Sequence, residues 1–150
     1  MDVILKHEPM TIPTYEPYAA NTLPFFLEKK AYQGATGRIY PVPYTDRLSN
    51  KPVDKEYDSY TLENEHVKVV LLPELGGKIH QNTVIKPAMV GIAGPWVSGG
   101  VEFNWPQHHR PTTFMPLEAT PKKNADGSVT VWMGEAEPFH RMRGMVGITV

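Results

Sequence analysis

The chain has 150 residues, a length typical of one domain, and its 15 Lys and Arg nearly balance its 16 Asp and Glu. A formal net charge of −1 gives no general attraction to nucleic acid or to anionic membranes. The absence of cysteine excludes disulfide bonds and thiolate metal sites.

Two further features of the sequence concern membranes and secretion. No stretch reaches the ~20 apolar residues that cross a bilayer. The first residues, "MDVILKHEPMTIP", lack the positively charged region and the cleavage site of a secretory signal. We therefore expect a cytoplasmic protein that binds neither nucleic acid nor membrane.

Proline is the residue in excess, and it argues against long helices. The 15 prolines extend from Pro9 to Pro138, at about twice the usual ~5% usage, and 12 glycines accompany them. Seven tyrosines and three tryptophans favour strands. The composition predicts an all-β, antiparallel sandwich with few or no helices, as a single domain over residues 1–150.

Residues 1–50 are expected to form an extended strap rich in proline and tyrosine. "DVILK" reads as an opening strand that runs into a turn. The following "TIPTYEPYAANTLPFF" is expected to be extended and irregular, because proline cannot donate to a strand ladder. The strap would pack its tyrosines onto a sheet from residues 51–150, whose strands carry the candidate site.

The clearest hairpin lies in "EYDSYTLENEHVKVVLLP", where "EN" or "NE" forms the turn. Alternation places Val67, Val69 and Leu71 on one face. In "LPELGGKIH", Gly76-Gly77 permits backbone conformations that other residues resist, which predicts an arch leading into a strand.

The pattern is less decisive between residues 82 and 109. "KPAMVGIAG" fits one or two helical turns, and "WVSGGVEFNW" fits a strand interrupted at Ser98-Gly99-Gly100. Further on, "DGSVTVWMGEA" indicates a hairpin with a two-residue turn at Asp126-Gly127, and "RGMVGITV" indicates another strand.

The stretch "VEFNWPQHHRPTTF" has the composition of a sugar site. Tryptophan stacks on the apolar face of a pyranose, while amides, imidazoles, carboxylates and guanidinium groups bind its hydroxyls. The candidate catalytic residues are Glu102, His108 and His109. The candidate substrate-binding residues are Trp96, Asn104, Trp105, Gln107 and Arg110.

Each of these residues also has a structural interpretation. Adjacent strand residues point to opposite faces, so His108 and His109 share a ligand only if they lie in a loop. Glu102 paired with Arg110 would brace that loop, and either tryptophan alone fits a core position. No spacing resembles a metal-binding motif, so neither a metal nor a cofactor is expected.

The blocks "LPELGGKI" and "VIKPAMVGIAGPWVSGGVEFNWPQHHRPTTFMP" resemble an uncharacterised bacterial family of galactose-mutarotase-like domains, often fused to tetratricopeptide repeats. "FLEKKAYQGATGRIYPVPYTDRLS" and "DGSVTVWMGE" extend the resemblance over most of the chain. It implies a β-supersandwich, a two-layer antiparallel fold whose concave face binds carbohydrate in related aldose epimerases.

The chain departs from this family in two ways. It resembles only the N-terminal portion of a longer β domain. Relatives also carry an additional segment where His80 here meets Gln81 directly. The resemblance therefore implies further β strands or a tetratricopeptide-repeat region in a longer chain, or a homo-oligomer, as partners.

The leading hypothesis is a carbohydrate-active or carbohydrate-binding domain with acid/base chemistry at an anomeric carbon. His108 or His109 would act as the acid, Glu102 as the base or hydroxyl acceptor, and Arg110 would orient the sugar. The main alternative is a non-catalytic module that senses sugar or binds protein beside helical repeats. A metal-dependent cupin-like sandwich is a further alternative.

Overall fold

The computed structural model describes residues 2–19, 24–26, 39–43, 47–81, 83–90, 94–97, 99–103, 116–137 and 142–150. Within these ranges the regular structure is β apart from one 3-10 turn, Pro73–Leu75. The strands are β1 (Ile4–Thr14), β2 (Pro24–Phe26), β3 (Ile39–Pro43), β4 (Val53–Glu63), β5 (Lys68–Leu72), β6 (Lys78–Ile79), β7 (Ala88–Val90), β8 (Gly94–Trp96), β9 (Glu118–Lys123), β10 (Val129–Glu137) and β11 (Met142–Thr149).

These strands form antiparallel sheets, which confirms the expected all-β class. One sheet has four strands in the order β1-β4-β5-β6, and a second has three in the order β11-β10-β9. Strands β2 and β3 form a separate pair, as do β7 and β8. In the described ranges no helix is long and apolar enough to cross a membrane.

Strand β1 is longer than the sequence predicts. The turn expected after "DVILK" is wrong, since residues 7–10 continue the ladder, and residues 11–14 continue it instead of becoming irregular. It pairs with β4 from Ile4↔Glu63 to Thr14↔Val53, and this ladder includes Pro9 and Pro13. In the described sheet β1 is an edge strand, where a proline without an N–H costs no ladder bond on the open side.

The predicted hairpin at β4 and β5 is confirmed, with Leu62 opposite Val69. Its turn is held by Asn64, whose Oδ1 accepts bonds from the backbone N–H groups of His66 and Val67 at 2.9 Å. Val67 precedes β5 and is exposed, so it does not join Val69 and Leu71 in the core. A side chain in a capped turn no longer follows strand alternation.

The hairpin at Asp126-Gly127 is confirmed, but its connection is longer than two residues. Pairing of β9 with β10 ends at Lys123↔Val129, which leaves five residues in the loop. Gly127 takes φ 89°, and Asp126 Oδ1 accepts bonds from both the N–H and the hydroxyl of Ser128. The helical alternative for "KPAMVGIAG" is wrong at Ala88–Val90, which pairs with β8 as a strand.

The two sheets enclose the main core with alternate residues of their strands. Leu62 and Leu71 from the four-stranded sheet meet Val131 and Met133 from β10, and all four side chains are buried. The opposite face of the four-stranded sheet carries a second cluster. Its members are Ile12, Tyr57, Leu72, Ile85 and Val97. This second face positions the candidate site.

Candidate functional site

Strand β6 enters the sheet through a double-glycine turn. Gly76 and Gly77 take φ values of 73° and 66°, a left-handed conformation that costs other residues energy. A Cβ on Gly77 would also lie 2.9 Å from Met133 Sδ and 3.0 Å from Leu117 Cδ1. The turn therefore packs directly against the main core, which fixes the position of Lys78 immediately after it.

A second glycine turn brings residues 101–103 beside β6. Gly100 takes φ 71°, and a Cβ there would lie 1.8 Å from the carbonyl oxygen of Ile79. Val101 then pairs with Ile79 through N–H···O bonds of 3.1 and 3.2 Å. Only glycine allows this close approach of the two backbones.

That pairing places Glu102 opposite Lys78. Lys78 Nζ lies 3.0 Å from Glu102 Oε2, and it also donates a hydrogen bond to the carbonyl oxygen of Val97. The side chains are only 4% and 13% exposed, respectively. A buried ion pair of this kind fixes backbone segments more than it offers charge to solvent. Glu102 is thus braced, with Lys78 as a partner.

A cavity of about 250 Å³ adjoins this pair through Val97. Its polar lining comes from Thr14, Lys55, Tyr57 and Glu74. The remaining lining is apolar and comprises Pro17, Leu75, Ile85, Pro87, Val97 and Pro116. The cavity therefore combines hydrogen-bonding groups, called the polar wall below, with apolar residues, called the apolar wall.

The hydroxyls of Thr14 and Tyr57 form the fixed part of the polar wall. Thr14 Oγ1 donates to the Ile12 carbonyl at 2.9 Å, so its single proton is used there. Tyr57 Oη, 2.9 Å from Thr14 Oγ1, must then be the donor between the two hydroxyls. Burial raises the pKa of Tyr57 above its usual value, and the nearby Glu74 carboxylate adds to this effect.

The two charged groups of the polar wall, Lys55 and Glu74, each contact a residue that does not line the cavity. Lys55 Nζ lies 5.2 Å from the centroid of the Tyr57 ring and 3.8 Å from Glu16 Oε1. Glu74 Oε1 accepts a 2.8 Å bond from the backbone N–H of Asp58. One oxygen of the Glu74 carboxylate is thus tied to the sheet.

Few of the predicted site residues fall in the described ranges. Glu102 is described in full, and Trp96 ends β8 with its backbone paired to Ala88. The side chain of Trp96 lies outside the described part of the structure, as do the following residues: Asn104, Trp105, Gln107, His108, His109 and Arg110. Their roles stay predictions.

Sequence reasoning missed the lysine of "GGKIH" and the hydroxyl pair of the cavity. The sequence carried a signal for Lys78, because this lysine starts a strand directly after two glycines and is followed by the apolar Ile79. Thr14 and Tyr57 gave no signal, because they meet only through the pairing of β1 with β4. The sequence also did not single out Trp132, which lies on an open face of the other sheet.

A match to a known family model shows the family to which the chain belongs. The family model described as a domain of unknown function, DUF5107, matches residues 35–150. The chain belongs to the DUF5107 family. This match includes the double-glycine turns, the Lys78–Glu102 pair and both hairpins.

A solved structure extends the comparison over the whole chain. It is the crystal structure of a TPR-domain containing protein from Parabacteroides distasonis ATCC 8503, with a TM-score of 0.79 and 26% sequence identity. The match covers 99% of this DUF5107 chain and 27% of that chain. The chain thus spans about a quarter of the length of this similar protein, which supports the expected occurrence of such domains with tetratricopeptide repeats.

Proposed function

We propose that this DUF5107 domain binds carbohydrate, with one sugar ring in the cavity that β1 and β4 line together with Ile85, Pro87 and Val97. The observation that carries the proposal is the mixed lining of that cavity. Hydroxyl, ammonium and carboxylate groups line it together with prolines and aliphatic side chains. A pyranose has the same combination in its hydroxyl edge and its apolar face.

The volume favours a small ligand. Pockets for drug-sized molecules span about 300–1,000 Å³, and this cavity, at about 250 Å³, lies just below that range. A monosaccharide ring, or the terminal unit of a longer chain, is the ligand class that matches. Lys55 and Glu74 would contact its hydroxyls, because neither group is committed on all sides.

In this proposal the buried pair has a positioning role. Lys78 holds Val97, which lines the cavity, and Glu102, which directly precedes the segment "FNWPQHHR". Fixing both from one ammonium group orders the apolar wall and the start of that segment. Glu102 would therefore support the site, and the sugar contacts predicted for Trp105 and Arg110 would come from the segment itself.

The test is a thermal-shift screen of the full-length protein against monosaccharides, disaccharides and sugar acids. A ligand at a hundred times its Kd raises stability by about 2.7 kcal/mol, which moves the melting point measurably. We expect Glu74→Gln and Lys55→Met each to weaken the Kd of a hit about tenfold, because each removes a charge from the polar wall.

The matched control is Glu65→Gln. It removes a carboxylate from the exposed turn between β4 and β5, away from the cavity, and should leave the affinity unchanged. A cooperatively folded protein that gives no shift with any sugar would refute the proposal. A hit whose affinity survives both cavity substitutions would show that the sugar binds elsewhere.

An acid/base function at an anomeric carbon is the enzymatic form of the same proposal. It requires His108 or His109 as the proton donor, in the segment that Glu102 introduces. If the domain is an enzyme, His108→Ala or His109→Ala will abolish turnover and leave sugar affinity within a few-fold. Turnover that survives both substitutions would show that neither histidine is the proton donor, and a sugar that binds the unmodified protein without turnover would restrict the function to binding.

A protein-interaction module is the second candidate, and the comparison with a TPR-domain containing protein favours it. In that case the β domain would serve as a platform for helical repeats in place of a sugar receptor. Protection of the β1 and β4 backbone amides from hydrogen exchange by a repeat region, without any sugar shift, would support this alternative.

A further inference from the structure

The outer face of the three-stranded sheet carries aromatic and charged side chains that are separate from the cavity beside Val97. Val129, Val131 and Met133 of β10 point into the core. The residues between them therefore point to the opposite side, since strand side chains alternate. These include Trp132, whose side chain is 41% exposed.

Trp132 rests on a glycine of the neighbouring strand. It pairs with Gly147 of β11, and a Cβ there would lie 2.9 Å from Cε3 and Cζ3 of the indole. The six-membered ring therefore occupies the space above Gly147, close to the sheet. Met145, which is 58% exposed, lies on the same face, two residues before Gly147 in β11. The arrangement leaves an aromatic surface open to solvent.

A cleft of about 410 Å³ opens on the same face and includes Gly134, two positions after Trp132 in β10. It is lined by Pro116, Glu118, Gly134, Ala136 and Arg143. Small residues create the opening, because Gly134 sits between Glu118 and Met145 in the register, and Ala136 sits opposite Arg143. A side chain at 134 would collide with Met145 Cγ, at 2.9 Å.

The two charged groups of the cleft have opposite signs. Among the described residues, neither Glu118 nor Arg143 takes part in an ion pair or a side-chain hydrogen bond with another group. Glu118 lies opposite Gly134, and Trp132 is two positions before that glycine in the same strand. The carboxylate and the guanidinium group therefore line the cleft, and the Trp132 ring lies on the same face beyond its Gly134 end.

We propose that this face is a second carbohydrate site, distinct from the cavity beside Val97, and that it binds a pyranose bearing a carboxylate. The ring stacks on Trp132, and the Arg143 fork takes the carboxylate in two parallel charge-assisted hydrogen bonds. Glu118 accepts hydrogen bonds from the sugar hydroxyls. A neutral sugar would leave Arg143 without an anionic partner, so the acidic sugar is preferred. The proposal does not depend on the function of the first cavity.

The experiment is isothermal titration of the full-length protein with glucuronate, an oligouronide, glucose and acetate. We expect glucuronate to bind at least tenfold more tightly than glucose, and acetate to show no binding because it lacks a stacking face. Trp132→Ser should weaken glucuronate binding at least tenfold. Arg143→Gln should remove the preference over glucose. A higher affinity for the oligouronide would identify a polymer as the source of the acidic unit.

Lys68→Gln is the matched control for Arg143→Gln. Lys68 is an exposed cation on β5 of the four-stranded sheet, away from this face. It should bind glucuronate like the unmodified protein. Equal affinity for glucuronate and glucose, or unchanged affinity in both Trp132→Ser and Arg143→Gln, would overturn the proposal.

Discussion

Replacing Lys78 with methionine removes a buried charge while keeping an unbranched side chain of similar length. In the folded protein the ammonium group lies 3.0 Å from Glu102 Oε2 and also donates to the Val97 carbonyl. Lys78→Met therefore removes a cationic partner from a carboxylate that is only 13% exposed, and a donor from a backbone oxygen. We expect this single substitution to be one of the most destabilising in the domain.

The magnitude follows from the geometry. At 3.0 Å and an effective dielectric constant of about 20, the direct attraction is about 5.5 kcal/mol before desolvation is counted. Most of this offsets the cost of burying the two ions. Removing one partner of such a pair costs about 3–5 kcal/mol, because the remaining ion is still buried. Replacing both partners with apolar groups ranges from neutral to stabilising by about 1–4 kcal/mol.

The assay is urea unfolding of four proteins: the unmodified chain, Lys78→Met, Glu102→Leu and the double variant. We expect each single variant to lose about 3–5 kcal/mol and the double variant to recover most of that loss. Single losses below 1 kcal/mol would refute a buried ion pair. Losses that simply add in the double variant would show that the two side chains act independently.

Two further predictions concern stability. Gly100→Ala should lower the free energy of unfolding by about 3 kcal/mol or more, because its Cβ would lie 1.8 Å from the Ile79 carbonyl oxygen and its φ is 71°. Gly127→Ala is the comparison, since Gly127 has φ 89° but no atom within 4 Å of an added Cβ. It should cost only about 1–2 kcal/mol in the same urea assay. Equal losses would contradict the close approach of the two backbones. Burial raises the pKa of Tyr57, so the folded state holds the phenolic proton more tightly than the unfolded state does. The stability that this contributes is complete below pH ~10 and is lost as the pH rises through the folded pKa. Tyr57→Phe should cost about 1 kcal/mol of stability near neutral pH, because it removes the hydrogen bond to Thr14. It should also flatten the decline of melting temperature at alkaline pH. If that decline is unchanged in Tyr57→Phe, groups other than Tyr57 cause it.

Local patterns predicted most of the fold. Alternation and turn residues located the β4–β5 hairpin, the β9–β10 hairpin and strand β11, because each is stabilised by residues close in sequence. Prediction failed where tertiary pairing overrode a local preference. Residues 11–14 joined β1 despite Pro13, because β4 offers a continuous partner.

The candidate site was predicted less completely. The chemical composition of residues 101–110 pointed to Glu102, but it could not reveal the partner of that carboxylate. Lys78 and Glu102 are 24 residues apart, and two glycine turns bring them together. No pattern within either segment indicates that approach.

The sequence by itself determined the β class, the positions of the glycine turns and the family to which the chain belongs. These properties depend on composition, on short-range alternation and on residues that permit left-handed backbone. Only the tertiary structure decided which side chains share a site. Thr14 and Tyr57 are separated by 43 residues, and the exposure of Trp132 depends on which face of its sheet meets the core. Alternation distinguishes the two faces of a strand, but only packing against the second sheet determines which face is buried and which is exposed.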